Sequence, residues 1–353
     1  MTVQPTATPA LPEIAYFQIF RVYHSAAQPN ATHYLFGNSR QRIALTIEVL
    51  ARDAQGRKVD LSPRHLAALR LVEVDQYGSP TGPAIAHEAD PETLTGWSTY
   101  AGPSEYVYDE RLVKKLGKGV VQDDRRAPEA AGHDALAIET DSAQIWVATS
   151  KSDTKRFAAK LGNFVSSEQD IHAQWIRLAA VKVDTAKVDF KHEEVRAYSG
   201  YYEDERGYNN FIRALASDGE KIKLKYISMP GIWWDRGEVY KTEYSFCVSG
   251  HAGQTQINSE GLPPYLNYID QVGDKYPPLN ALRPQTVVNP REDEVVIIMF
   301  LSPEHWRFHE HDFTQAEDKE VHDGDITDVH GNVYPLRFRY SIITRVDLII
   351  EKR

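Results

Sequence analysis

Along most of this chain apolar and polar side chains alternate with a period of two. That is the repeat of a strand with one face buried, not the 3.6 of an amphipathic helix. In residues 43–49, Ile43, Leu45, Ile47 and Val49 fall on one face with Ala44, Thr46 and Glu48 between them. Residues 220–226 interleave Ile222, Leu224 and Tyr226 with Lys221, Lys223 and Lys225, and 336–340 repeats the pattern around Arg337 and Arg339. Further strands are predicted over 14–23, 69–76, 144–150, 156–161, 175–183, 239–248, 295–301 and 342–350. These segments are rich in the Val, Ile, Tyr, Phe and Thr that suit a pleated, half-buried surface. The 295–301 run is apolar throughout and reads as a buried strand.

Turn chemistry agrees with the strands. Asp53-Ala54-Gln55-Gly56, Ser217-Asp218-Gly219 and His330-Gly331-Asn332 sit between or just before strand-like runs, with Gly or Asn able to take positive φ. Helical signals are short, at 63–69 and 109–116. Strands are seldom separated by a long amphipathic helix, so parallel βαβ crossovers are not expected. The expected fold is all-β: two or three antiparallel, Ig-like β-sandwich domains with long loops and very little helix. Pro5, Pro9 and Pro12 make 1–12 read as a flexible arm, and polar breaks at 117–134 and 199–210 suggest a sandwich over 13–120 and a second sandwich over 205–353. The intervening 134–198 is expected to be a β-rich domain or to share a sheet with a neighbour. Within the last domain, 261–293 reads as a long Pro-rich loop, a length that is usually functional or wraps a surface.

Residues 38–62, NSRQRIALTIEVLARDAQGRKVDLS, resemble the opening of bacterial Ig-like modules of the invasin type. There an alternating strand runs into a D-x-x-G-x-x-V hairpin, here Asp53, Gly56 and Val59. Residues 140–162 echo it more weakly, without the Gly turn. The resemblance implies a β-sandwich and, in function, a surface or adhesin stalk module.

Composition narrows the classes. Forty Lys and Arg against fifty Asp and Glu leave a net charge of −10. Without a concentrated basic run this excludes a phosphate-binding surface, so no nucleic-acid partner is expected. Cys247 is the one cysteine, which excludes an internal disulfide framework and Cys-based zinc. Nowhere do 18 apolar residues follow one another, so no transmembrane segment is expected. The first 14 residues hold no Lys or Arg and no long apolar run, so no secretory signal is expected. The expected location is cytoplasmic as made, with release or injection by a non-classical route.

Candidate chemistry concentrates in 304–332, which holds His305, His309, His311, His322 and His330 among Asp312, Asp323, Asp325 and Asp328. His309 and His311, two apart on a strand, would project from one face and could grip one zinc ion, with His305, His322 or Asp325 as further ligands. No H-E-x-x-H is present, and a solvated acidic hairpin is the plainer reading. Asp323-Gly324-Asp325 approaches a calcium loop, but Thr327 stands where an acid or amide is needed, so a turn held by Asp side chains is favoured. Cys247 lies in an apolar strand, where a thiol is normally inert, and Ser249-Gly250-His251 fails the nucleophile elbow. The acidic trio Glu203, Asp204 and Glu205 is too compact to straddle a glycosidic bond. No catalytic residue and no cofactor are therefore assigned, zinc or calcium being the ions considered.

Aromatics supply the binding candidates. Tyr201, Tyr202 and Tyr208 cluster in a polar stretch, and Trp233 and Trp234 follow the turn residues Pro230 and Gly231. Exposed Tyr and Trp beside polar groups add contact area at low entropic cost. The leading expectation is a non-enzymatic bacterial recognition protein for a protein or carbohydrate surface, as a toxin or effector component or adhesin-like module. The alternatives are a metal-dependent hydrolase built on the 305–330 histidines and a structural subunit of a secretion or phage-like particle.

Overall fold

The computed structural model describes residues 14–25, 31–119, 139–168, 175–199, 206–229, 232–234, 245–251, 291–301, 321–340 and 348–353. It is all-β, in two compact units, Met1–Val183 and Asp184–Arg353. The strands of the first unit are β1 (Tyr16–Tyr23), β2 (Thr32–Phe36), β3 (Ile43–Arg52), β4 (Lys58–Val59), β5 (Arg70–Val74), β6 (Pro80–Ala84), β7 (Ala86–His87), β8 (Trp97–Tyr100), β9 (Asp141–Thr149), β10 (Thr154–Leu161), β11 (Phe164–Val165) and β12 (Trp175–Val181). Two short helices accompany them, α1 (Pro63–Ala67) and α2 (Glu110–Leu116).

These strands make two sheets, β1-β3-β9-β8-β7 with β4 on β3, and β2-β12-β10-β5-β6 with β11 on β10. The alternation read from residues 43–49 is what joins them. Ile43, Leu45, Ile47 and Val49 are fully buried and pack, with Phe20 of β1 and Val147 of β9, into one core. The opposing sheet supplies Leu71, Phe157, Ile176 and Leu178 to the same core. Burying each such side chain is worth about 1.5–3 kcal/mol, and a one-residue slip in register would turn all of them to water. The result is a β-sandwich.

The polar stretch after residue 117 does not divide the chain. β9 lies between β3 and β8, and β10 between β5 and β12, so strands following that stretch complete the sheets that β1–β8 begin. Residues 134–198 are split instead, the division falling at 183/184. Pairing of distant strands sets the boundary, and local polarity carries no record of it. Two pairings among the described strands, β2 with β12 and β7 with β8, are parallel, which the long connections between these partners allow.

The second unit contains β13 (Val188–Ser199), β14 (Arg206–Ala216), β15 (Lys221–Ile222), β16 (Leu224–Ser228), β17 (Ile232–Trp234), β18 (Ser245–His251), β19 (Val295–Leu301), β20 (Val321–Asp328), β21 (Val333–Tyr340) and β22 (Leu348–Lys352). One sheet runs β13-β14-β19-β18-β17 with β15 on β14, the other β16-β20-β21-β22. The all-apolar β19 is an interior strand between β14 and β18, as its composition requires. The alternating run 220–226 is shared between the sheets, β15 pairing with β14 and β16 with β20. Period two reports the faces of a strand, not the sheet it joins. Phe190 of β13 meets Tyr334 of β21 edge to face at 5.4 Å, and both sheets contribute buried residues, including Ile212, Ile297, Ile326 and Phe338. This is a second sandwich.

Candidate functional site

Several expected site residues fall outside the described residues: Tyr201, Tyr202, His305, His309 and His311. Tyr208 lies on β14 and is buried, 6% exposed, inside its unit rather than at a rim. Trp233 and Trp234 lie on β17, paired with Phe246 and Ser245 of β18. Cys247 sits on β18, paired with Ile232 on one side and Met299 on the other.

His322 and Asp325 both lie on β20, in unbroken register with β21 from Val321 to Thr327. Three positions apart, they project from opposite faces of the strand, so the structure does not bring them together as ligands of one ion. Asp325 is paired with Arg353, and Asp323 with both Arg337 and Arg353. Gly324 has a structural reason: a Cβ there would stand 2.9 Å from the Phe338 ring and 3.1 Å from the Met229 side chain. Asp328 is fully buried and spent on its own turn, accepting from the backbone N–H groups of His330 and Asn332, the Asn332 amide and the Tyr334 hydroxyl. The three carboxylates of the calcium-like stretch thus each have protein partners.

A cluster that the sequence did not announce lies in the first unit. His24 follows β1, His33 is on β2, and Glu110 opens α2, capped by Asp109. One ligand atom from each lies within 4.8 Å of the others, and among the described residues no other group of three or more His, Cys, Asp or Glu converges in this way. His33 Nδ1 meets Glu110 Oε2 at 3.1 Å, and the two imidazoles stand edge to face at 4.8 Å. Glu110 also pairs with Lys114 at 2.9 Å and accepts the Tyr34 N–H at 3.4 Å. Burial works to raise the Glu110 carboxyl, but the hydrogen bonds from His33 and Lys114 outweigh it and hold its pKa at about 2. Tyr108 closes one wall, its ring 5.3 Å from His24 and its hydroxyl donating to the Tyr34 carbonyl at 3.0 Å. Burial and the Glu110 charge push that phenol far above its ordinary pKa, so it stays a neutral donor. Separations of 9 and 77 residues carry no ligand signature; only the packing of the two sheets with α2 reveals the convergence.

The second feature is the turn between β5 and β6. Asp75 Oδ1 accepts the backbone N–H groups of Tyr77 and Ser79 at 2.8 and 2.9 Å, and Gly78 takes φ +87°. Ser167 donates from outside the turn to the Gly78 carbonyl. On this braced tip Tyr77 stands 81% exposed. The signal was legible: Asp75 and Gly78 have the spacing of Asp53 and Gly56, with an aromatic between them.

No family model matches the chain, and no curated protein matches it. Among solved structures, the surface-layer protein SbsC over its domains 4–9 is similar over 95% of this chain and 31% of its own, at 6% identity and a TM-score of 0.20. Invasin, a bacterial integrin-binding protein, is similar over 95% of this chain and 38% of its own, at 8% identity and a TM-score of 0.22. The Yersinia pseudotuberculosis adhesin InvE is similar over 89% of this chain and 58% of its own, at 8% identity and a TM-score of 0.18. The chain therefore spans less than two thirds of each of these three structures. The likeness is a faint resemblance to invasin-type modules that identifies no specific protein, and at such TM-scores it carries no functional argument.

Proposed function

We propose that this is a non-enzymatic recognition protein of bacterial type, acting as an effector component or adhesin-like module on a protein or glycan surface. The observation that carries the reading is Tyr77. A large aromatic held out to solvent on a turn fixed by Asp75, Gly78 and Ser167 gives up little entropy on binding, and rigid exposed tyrosines are what recognition surfaces use as anchors. The resemblance of residues 38–62 to invasin-type modules agrees in kind.

The test is binding of the labelled full chain to printed panels of defined glycans and purified surface proteins, alongside Tyr77→Ala. An anchoring aromatic is worth about 2 kcal/mol or more, so the variant should bind about 30-fold more weakly wherever the parent binds. Equal binding by the two chains would remove Tyr77 from the reading. Silence of the parent on both panels would count against recognition altogether.

A further inference from the structure

We propose that His24, His33 and Glu110 form a site for one divalent transition-metal ion of the zinc type, with both imidazoles ligating and the carboxylate as the anionic member. Nothing in the recognition reading requires it; it rests on separate residues.

The tautomer of His24 is fixed by its neighbour. His24 Nδ1 lies 2.8 Å from the Ala44 carbonyl oxygen, which can only accept, so Nδ1 carries the proton and the neutral ring presents its lone pair at Nε2. His33 Nδ1 lies 3.1 Å from Glu110 Oε2, close to the spacing of two ligand atoms on one tetrahedral ion, so these two atoms would ligate, the ion replacing the proton they share in the metal-free chain. A backbone carbonyl behind the His24 imidazole is the support that metal-binding histidines ordinarily have.

Burial supplies a second observation. His33 is 3% exposed, so water competes little for Nδ1, and an imidazole and a carboxylate that meet largely out of water hold a cation more strongly than they would in solvent.

Charge and ligand type point to the class of ion. Two imidazoles disfavour calcium and magnesium, which take oxygen ligands, and suit zinc, copper or nickel. Bonds of about 2.0 Å place tetrahedral ligand atoms about 3.3 Å apart. Closing from within 4.8 Å asks for about 1.5 Å of side-chain motion. Lys114 is the resident competitor: its ammonium already sits on Glu110, and its side chain is 45% exposed, free to swing away. His24 is anchored to β3 of one sheet and His33 lies on β2 of the other, so the ion would fasten two sheets of the sandwich together at their margin, beside α2.

The test uses the full chain stripped with chelator and titrated with Zn(II) alone, and separately with Co(II) as a spectroscopic probe. One ion per chain should bind, with cobalt bands of low-coordinate intensity. At a hundredfold excess of Zn(II) over its Kd the melting temperature should rise by about 5 °C or more. His33→Ala should abolish binding; should that variant unfold, His24→Gln, at the half-buried rim, should abolish it with the fold intact by circular dichroism. Lys114→Met should tighten binding severalfold, an effect that a purely structural clasp would not produce. Absence of stoichiometric binding in the parent chain would overturn the proposal. So would binding that survives His24→Gln but is lost in His309→Ala with His311→Ala.

Discussion

The same five-residue turn, D-x-x-G-x, is built three times among the described residues: at 53–57 and 75–79 in the first unit and at 328–332 in the second. In each, the Asp backbone N–H donates to the carbonyl of the fifth residue, the Gly N–H donates back to the Asp carbonyl, and one Asp oxygen accepts from the third and fifth N–H groups. The glycines take φ of +79°, +87° and +83°, a region open to them and costly for other residues. What differs is water. Asp53 stays within reach of water, its side chain 17% exposed, and the backbone N–H of Arg57, aided by its guanidinium, holds the carboxyl below its ordinary pKa. Asp328 is buried, and burial pushes its carboxyl up, against His330, Asn332 and Tyr334, which pull it down. One local code thus gives one backbone geometry and opposite electrostatics. Sequence sets the shape of the turn, and packing sets what each of its hydrogen bonds is worth.

The largest expected effect follows from that contrast. Asp328→Ala strips the acceptor from two buried backbone N–H groups, the Asn332 amide and the Tyr334 hydroxyl at once. Each orphaned group costs about 1–3 kcal/mol, and the losses are not additive, so a total of about 4 kcal/mol is expected. Asp328→Asn should cost about half as much, because one side-chain oxygen remains and the Tyr334 hydroxyl can turn to accept. Urea titration checks both, following the transition that these substitutions move, since a chain of two units need not unfold in one step. A loss below about 1 kcal/mol for Asp328→Ala would mean the two kinds of turn are energetically alike.

Acid should separate the hairpins in a second way. Burial pushes the His322 imidazole, on the strand leading to the buried turn, from its ordinary 6.5 to about 4, with Asp323 pulling weakly the other way. The folded form disfavours the charged ring, so its contribution is full above about pH 6.5 and is lost as the pH falls through about 4. His322→Leu should flatten the stability profile in that window and leave it unchanged above pH 7. An unaltered acid limb would show that His322 is solvated in the folded state.

The outcome at particular residues shows what could be read in advance. Ile43 to Val49, the turns at Gly56 and Gly331 and the helix capped by Asp109 were legible because their causes are local: side-chain period, positive φ and a capping oxygen. The unit boundary at 183/184 was not, because β9 joins β3 across some 90 residues and nothing near residue 183 marks it. The histidines drew attention to 305–330 because they are dense there. Of these, His305, His309 and His311 lie outside the described residues, and on β20 His322 and Asp325 face apart. His24, His33 and Glu110 look unremarkable in the chain and meet only because β1, β2 and α2 meet.

The smallest effects belong to the solvated turns, and they test whether shape and stability can be pulled apart. Asp75→Ala removes the acceptor from the Tyr77 and Ser79 N–H groups, but water can reach those groups, so a loss of about 1 kcal/mol or less is expected. Tyr77→Ala should change stability by less than about 0.5 kcal/mol, since the exposed ring serves no core. Binding should rank them differently. Tyr77→Ala removes the anchor itself, whereas Asp75→Ala leaves the ring in place and lets it wander, weakening binding by the entropy of re-ordering the turn, about tenfold or less. Thermal melts of the two variants beside their binding to the same panel decide the point. If Asp75→Ala bound as tightly as the parent while Tyr77→Ala did not, the ring would matter and its bracing would not, and the turn would be a perch for the tyrosine rather than a means of holding it ready.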